Sequence, residues 1–299
     1  MSAVSVEHLS KTFGKTNRAL SDVTFSIEPG EIVALIGASG SGKSTLIRHI
    51  AGLVTSDRSG GSVKVFDAAI QQDGKIADGV RQRRSEIGVV FQQFNLVGRL
   101  SVLTNVLTGV LGRAPFWRTW FGIFTREEKQ SAMTALARVG IASHAGKRAA
   151  DLSGGQQQRA AIARTIVQGA KLILADEPIA SLDPASSVKV MDNLKRVNQD
   201  DGVTVLVSLH QVDYAVNYCP RTIAMRAGKI VFDGPSDQLT PVLLQELYGS
   251  ASLDLTGGSV EQPIKKATEK TTQNMRLGNC CFVHPTNNLH KQTENDDVS

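Results

Sequence analysis

The sequence predicts an α/β fold: a mostly parallel sheet, an N-terminal antiparallel β-subdomain and an inserted α-helical subdomain. Three observations support this. Four short runs, Ile32 to Ile36, Ile87 to Phe91, Leu172 to Ala175 and Val203 to Val207, are almost continuously apolar, as strands covered by helices on both faces must be. The first run leads straight into a loop of small residues, Gly37-Ala38-Ser39-Gly40-Ser41-Gly42-Lys43-Ser44-Thr45, of the kind that opens a helix. Between Phe91 and Ile173 no comparable strand occurs, and helical patterns such as Arg126 to Val139 and Gly154 to Gln168 take over. A helical insertion is therefore expected at about residues 93–165.

At the N-terminus, Val4 to Leu9 and Val23 to Ile27 alternate apolar and polar positions. They read as half-buried antiparallel strands of a small side sheet, with a turn at Pro29-Gly30. After Val207, Arg221 to Met225 and Lys229 to Phe232 flank Ala227-Gly228 as a hairpin, and a helical stretch follows through Val242 to Tyr248. One domain is thus expected over residues 1–250. Residues 251–299 are rich in Thr, Asn, Gln, Lys and Glu, a polar tail that buries too little apolar surface to offset chain entropy and is expected to be disordered.

Composition narrows the setting. No run of about 18 uncharged apolar residues occurs, so neither a membrane span nor a secretory signal is expected, and a cytoplasmic location follows. The three cysteines, Cys219, Cys280 and Cys281, make no disulfide framework, which agrees with a reducing compartment. Cys219 reads as a buried thiol. Cys280, Cys281, His284 and His290 match no standard zinc spacing. The net charge of +5 is compatible with nucleic acid, an anionic membrane surface or nucleotide phosphates, and does not separate them.

The loop Gly37 to Thr45 points to a nucleoside triphosphate. Its glycines let successive backbone N–H groups approach an anion where a helix begins with its positive dipole end. Lys43 supplies a mobile cation for the β- and γ-phosphates, and the Ser44 hydroxyl suits one coordination position of Mg²⁺. Asp176 and Glu177 end the run Leu172 to Ala175. Asp176 is placed to take the metal, and Glu177 to polarise an attacking water. His210, just after Val203 to Val207, stands where it could contact the γ-phosphate. Gln92, after Ile87 to Phe91, could offer an amide oxygen to Mg²⁺ or the water, at the junction with the insertion. A second anion-binding surface, Ser153, Gly154, Gly155 and Gln156, opens a helix. One chain does not need two cradles. A head-to-tail dimer, each nucleotide lying between one copy's loop and the other's second surface, resolves this.

Together these segments resemble the ATP-binding subunit of an ABC transporter over about Val4 to Tyr248. The resemblance implies the ABC ATPase fold, a P-loop NTPase core with the two subdomains above, and ATP and Mg²⁺ as ligands. It makes Gly37 to Thr45 the Walker A loop, Gln92 the Q-loop glutamine and Leu152 to Gln156 the signature. Asp176 and Glu177 end Walker B, Ser181-Leu182-Asp183 is the D-loop, His210 the switch histidine, and Phe13 the aromatic that stacks on adenine.

Phe91 to Val97, Pro115 to Thr119, Glu177 to Pro184 and Leu209 to Ala215 are similar to the phosphonate-import branch of that family, including Leu209 and Gln211 where many members have Thr and Asp. The branch implies a homodimer on two transmembrane permease subunits, served by a periplasmic phosphonate-binding protein, at the cytoplasmic face of the inner membrane. No nucleic acid is expected. A soluble ABC ATPase accessory to phosphonate breakdown, and an importer of another substrate, remain alternatives. A P-loop kinase is disfavoured by Leu152 to Gln156. The region Gln93 to Thr125 concentrates Phe94, Phe116, Trp117, Trp120, Phe121 and Phe124. These residues either pack the insertion or line a groove for a permease helix, and Gln92 to Leu103 is the expected route of coupling.

Overall fold

The computed structural model describes residues 1–58, 61–115, 118, 120 and 122–248. The expected tail at 251–299, with Cys280, Cys281, His284 and His290, lies outside the described residues, as do Phe116, Trp117 and Phe121.

The central sheet has six strands in the order β11-β10-β3-β9-β8-β7: β3 (Ile32–Ile36), β7 (Ile87–Val90), β8 (Leu172–Ala175), β9 (Thr204–Leu209), β10 (Arg221–Arg226) and β11 (Lys229–Pro235). All neighbours pair in parallel except β10 and β11, which form the expected hairpin. The apolar runs follow from where the faces go, because alternate side chains of a strand point to opposite faces. Ile32, Ala34 and Ile36 of β3 join one buried cluster, whereas Val33 and Leu35 join the other. Both faces of β3 are covered, so none of its positions is left for a solvated polar residue.

The first cluster also holds the helices α3 (Val102–Leu107), α4 (Arg126–Arg138), α5 (Gly154–Gln168) and α6 (Pro184–Asp201). Their ends are written in the sequence. Thr125 with Glu128 and Ser153 with Gln156 form capping boxes at the starts of α4 and α5. Asp183 caps α6, with Pro184 in its first turn, and Gly169 and Gly202 end α5 and α6 in left-handed conformations, as helix caps favour.

The second cluster lies between the central sheet, α1 (Lys43–Ile50) and the side sheet. That sheet has five strands in the order β2-β1-β4-β5-β6: β1 (Val4–Phe13), β2 (Asn17–Ile27), β4 (Ser62–Val65), β5 (Ala68–Gln72) and β6 (Lys75–Ile76). The β1–β2 pair is antiparallel but longer than the alternation suggested, and bulges at its register shifts interrupt the pattern. Pro29-Gly30 makes its turn between β2 and β3, where the chain leaves the side sheet for the central one. A short helix, α2 (Val80–Arg84), follows the side sheet; α7 (Val212–Tyr218) precedes β10, and α8 (Pro241–Tyr248) follows β11.

Candidate active site

The loop between β3 and α1 takes shape from its glycines. Gly37 has φ 147°, Gly40 78° and Gly42 106°, conformations that L side chains rarely adopt. At Gly37 a Cβ would also stand 2.2 Å from the Met225 carbonyl oxygen, so the loop lies against β10. No side chain caps α1, and its first turn holds no acid; the helix therefore offers its N–H groups and positive end to an anion. The Gly37 N–H donates to the Tyr248 hydroxyl of α8 at 3.2 Å. Burial pushes the Tyr248 phenol up to about 12.

Lys43 is buried and donates to the Gly37 and Ala38 carbonyls at 2.7 and 3.3 Å. Its Nζ lies 3.8 Å from Glu177 Oε1. Burial holds the ammonium's pKa below its ordinary value, against the opposing pull of Glu177 and Asp176. Ser44 Oγ donates to Asp176 Oδ1 at 2.8 Å. The buried Ser41 hydroxyl has no hydrogen-bond partner among the described residues. A hydroxyl and a carboxylate in contact, beside an unsatisfied hydroxyl and open helix amides, form a donor set that fits a hard divalent cation with phosphates.

Two parallel strands bring the remaining groups together. Asp176 and Glu177 follow β8, and His210 follows β9, which runs two residues further than the apolar run alone suggested. His210 Nε2 lies 2.5 Å from Glu177 Oε1. Glu177 has φ 51°, a left-handed backbone that a non-glycine residue keeps only where its surroundings fix it. Ser208, within β9, fixes it. Its hydroxyl accepts the Glu177 N–H at 2.8 Å and donates to Asp176 Oδ1 at 3.0 Å.

Sequence reasoning missed Ser208, although a hydroxyl in a fully buried strand beside the expected histidine was a usable signal. Ser208→Ala should leave the part-buried Glu177 N–H unpaired and destabilise the fold by about 1–3 kcal/mol, read by urea denaturation. It should also lower turnover about tenfold as Glu177 loses its fixed turn.

Among the described residues no hydrogen bond or ion pair joins Gln92, Phe13, Ser153 to Gln156 or Asp183 to this group. Gln92 is exposed, two residues beyond β7, and its amide makes no hydrogen bond among the described residues. Phe13 is 43 % exposed, with the Lys11 ammonium 5.4 Å from its ring centroid; an aromatic surface remains open to solvent. Ser153 Oγ accepts from the Gln156 N–H at 3.4 Å, and Gln156 Oε1 accepts from the Ser153 N–H at 3.0 Å. Gly154 packs towards Leu182 and Phe94, and Gly155 so close to Ser186 that a Cβ would stand 2.7 Å from its side chain. Asp183 accepts from the Ser186 N–H at 2.9 Å, and hydrogen bonding from Ser186 holds its carboxyl below the usual range. Among the described residues no hydrogen bond or ion pair joins Ser153 to Gln156 with Gly37 to Thr45. Cys219 is buried, which pushes its thiol up to about 12, an unreactive thiol.

The ABC transporter family model matches residues 20–180. The chain belongs to that family. Membership makes it an ATPase. It is 55 % identical over 275 residues to the phosphonates import ATP-binding protein PhnC of Paraburkholderia xenovorans, covering 92 % of this chain and 91 % of the relative. It is 58 % identical over 252 residues to the phosphonates import ATP-binding protein PhnC 1 of Pseudomonas aeruginosa, covering 84 % and 90 %. Among solved structures it resembles a dimeric ATP-binding cassette in a post-hydrolysis state bound to ADP and phosphate, with TM-score 0.66 and 33 % identity over 78 % of this chain and 98 % of that one. The ADP conformation of another ABC transporter cassette matches with TM-score 0.69 and 26 % identity, covering 87 % and 100 %. These ABC cassettes share the α/β architecture described above. No helix among the described residues is long and apolar enough to cross a membrane.

Proposed function

We propose that this chain is the ATP-hydrolysing subunit of an importer for phosphonates, with phosphate esters or related oxyanions as further cargo. It works as an ATP-sandwich homodimer beneath two transmembrane permease subunits, at the cytoplasmic face of the inner membrane, and a periplasmic phosphonate-binding protein delivers the cargo. The observation behind the mechanism is the meeting of Lys43, Ser44, Asp176, Glu177 and His210 at the ends of β3, β8 and β9. The phosphonate assignment rests on likeness to the import proteins named above.

Gly37 to Thr45 binds the triphosphate through backbone N–H groups, and the open ring of Phe13 takes adenine. Lys43 follows the charge on the β- and γ-phosphates. Ser44, Asp176 and Gln92 are the residues that would hold Mg²⁺, which supplies charge stabilisation for phosphoryl transfer. Glu177 accepts a proton from the attacking water, and His210 holds the Glu177 carboxylate and meets the γ-phosphate. Ser153 to Gln156 and Asp183 act across the dimer, completing the site on the partner's nucleotide. Gln92 to Leu103 relays closure to the permease, and the exposed apolar residues within it, Val97 and Leu100, suit a docking surface. In this reading residues 1–250 are the working domain.

The test is to purify the chain with co-expressed permease and add the phosphonate-loaded periplasmic protein. ATP hydrolysis in vesicles should rise severalfold with loaded over empty binding protein, and phosphonate should accumulate. Equal rates with both would overturn the reading. Ser153→Ala should cost about 1 kcal/mol of stability through the lost cap and lower hydrolysis, while the isolated monomer still binds ATP in a fluorescent-nucleotide titration.

A further inference from the structure

Beyond β7 the chain makes a turn in which Phe94 takes a conformation that a bulky residue does not favour. Phe94 and Asn95 stand consecutively in the left-handed region, with φ 57° and 49°, and the Asn95 N–H folds back onto the Gln93 carbonyl at 2.5 Å. Asn95 tolerates that region but the bulky Phe94 does not, so something outside the turn must hold Phe94 there. Two contacts from α5 do so. At the start of the helix, Gly154 leaves room for the Phe94 ring, whose Cζ would lie 3.4 Å from a Cβ at that position. About three turns further along α5, Arg164 donates through Nη1 to the Asn95 carbonyl at 2.7 Å and through Nη2 to the Phe94 carbonyl at 3.5 Å.

The charge on Arg164 is used unusually. The guanidinium is half-buried and pairs with no carboxylate among the described residues; its hydrogen bonds go to two successive main-chain carbonyls. A planar fork suits that pair of acceptors, whereas a lysine ammonium offers a point charge. The segment held in this way begins two residues after Gln92, and the helix that holds it begins at Ser153.

We propose that Arg164 is a positioning residue that clamps the Gln93 to Asn95 turn onto α5, so that Gln92 and the Ser153 to Gly155 segment move as one body. The consequence for turnover rests on the role of Gln92 proposed above; the clamp itself does not. A change in where Gln92 sits is transmitted to the surface that completes the partner's site, and the reverse holds equally. Without the fork, the turn relaxes towards ordinary backbone angles and Gln92 is no longer placed by α5.

The experiment uses the full chain. In Arg164→Ala, hydrogen exchange at the Phe94 and Asn95 amides should accelerate about tenfold or more. Its kcat should fall about tenfold with KM for MgATP within about twofold, because the phosphate loop is untouched. Adding Asn95→Gly to Arg164→Ala should restore part of kcat, since glycine holds the left-handed angle unaided; loss of helix packing would not be repaired by a change at residue 95. Should the alanine variant not fold, Arg164→Lys keeps the charge and should show intermediate exchange. Unchanged exchange in both variants would overturn the clamp, and so would a kcat lost in Arg164→Ala that Asn95→Gly does not recover at all. Wild-type turnover in Gln92→Ala, with exchange still accelerated in Arg164→Ala, would instead remove the role of Gln92 and leave the clamp supported.

Discussion

A Glu177→Gln chain is expected to bind MgATP within about twofold of wild type while its turnover falls by about 10²–10⁴. The amide keeps the size of the carboxyl group, so the geometry around it survives. Glu177 Oε1 sits 2.5 Å from His210 Nε2 and 3.8 Å from Lys43 Nζ, and an amide oxygen can still accept from the imidazole and face the ammonium. It cannot take a proton from water. Binding and hydrolysis should therefore separate, and the variant should accumulate as an ATP-bound dimer on size-exclusion chromatography. Steady-state phosphate release decides the matter: a rate near wild type would remove Glu177 from the chemistry.

The second large effect lies at Gly37. Gly37→Ala should destabilise the domain by about 3 kcal/mol or more and abolish nucleotide binding. Two costs add there. The residue has φ 147°, and a Cβ would stand 2.2 Å from the Met225 carbonyl oxygen and 2.8 Å from Ser41 Oγ. The carbonyl belongs to β10, whose Ala224 pairs with Ile36, so it cannot withdraw without parting β10 from β3. Gly40→Ala separates the two costs. Gly40 has φ 78° but nothing within 4 Å of its Cβ position, so only the backbone term applies, about 1–2 kcal/mol. Thermal melts of the two variants, with nucleotide titrations, check the difference. Equal shifts would show that the contact with β10 is not what makes Gly37 necessary.

The central chemistry was legible because it is local. Gly37 to Thr45 follows a strand and opens a helix within nine residues of sequence, and Asp176-Glu177 and His210 each end an apolar run, so strand polarity alone puts them at one edge. The capping residues Ser153 and Asp183 were visible, although as part of an expected nucleotide surface; their capping bonds emerged from the structure. What stayed hidden depends on contacts distant in sequence or on uncommon backbone. Nothing near Tyr248 announces that its hydroxyl will meet the Gly37 N–H. Phe94 and Asn95 give no glycine signal for their left-handed turn, and Arg164 reads as one more polar position on an amphipathic helix. Strands β4, β5 and β6 are two to five residues long, too short for a periodic pattern to stand out.

The strand order has a consequence for how the protein is made. Strand β3, which launches the phosphate loop, lies between β9 and β10, with Ile32 beside Val205 and Val33 beside Arg221. Translation therefore delivers the loop early and both of its flanking strands late. A ribosome that has reached Asp201 has already released the glycine-rich segment but neither neighbour for its strand, and the tyrosine that caps the loop comes later still. The growing chain must keep an apolar strand with two open edges unmated through most of synthesis, a state exposed to aggregation or to chaperones. Competence to hold ATP comes only near the end, so a chain truncated before β9 would be left without a nucleotide site, however intact its phosphate-loop motif.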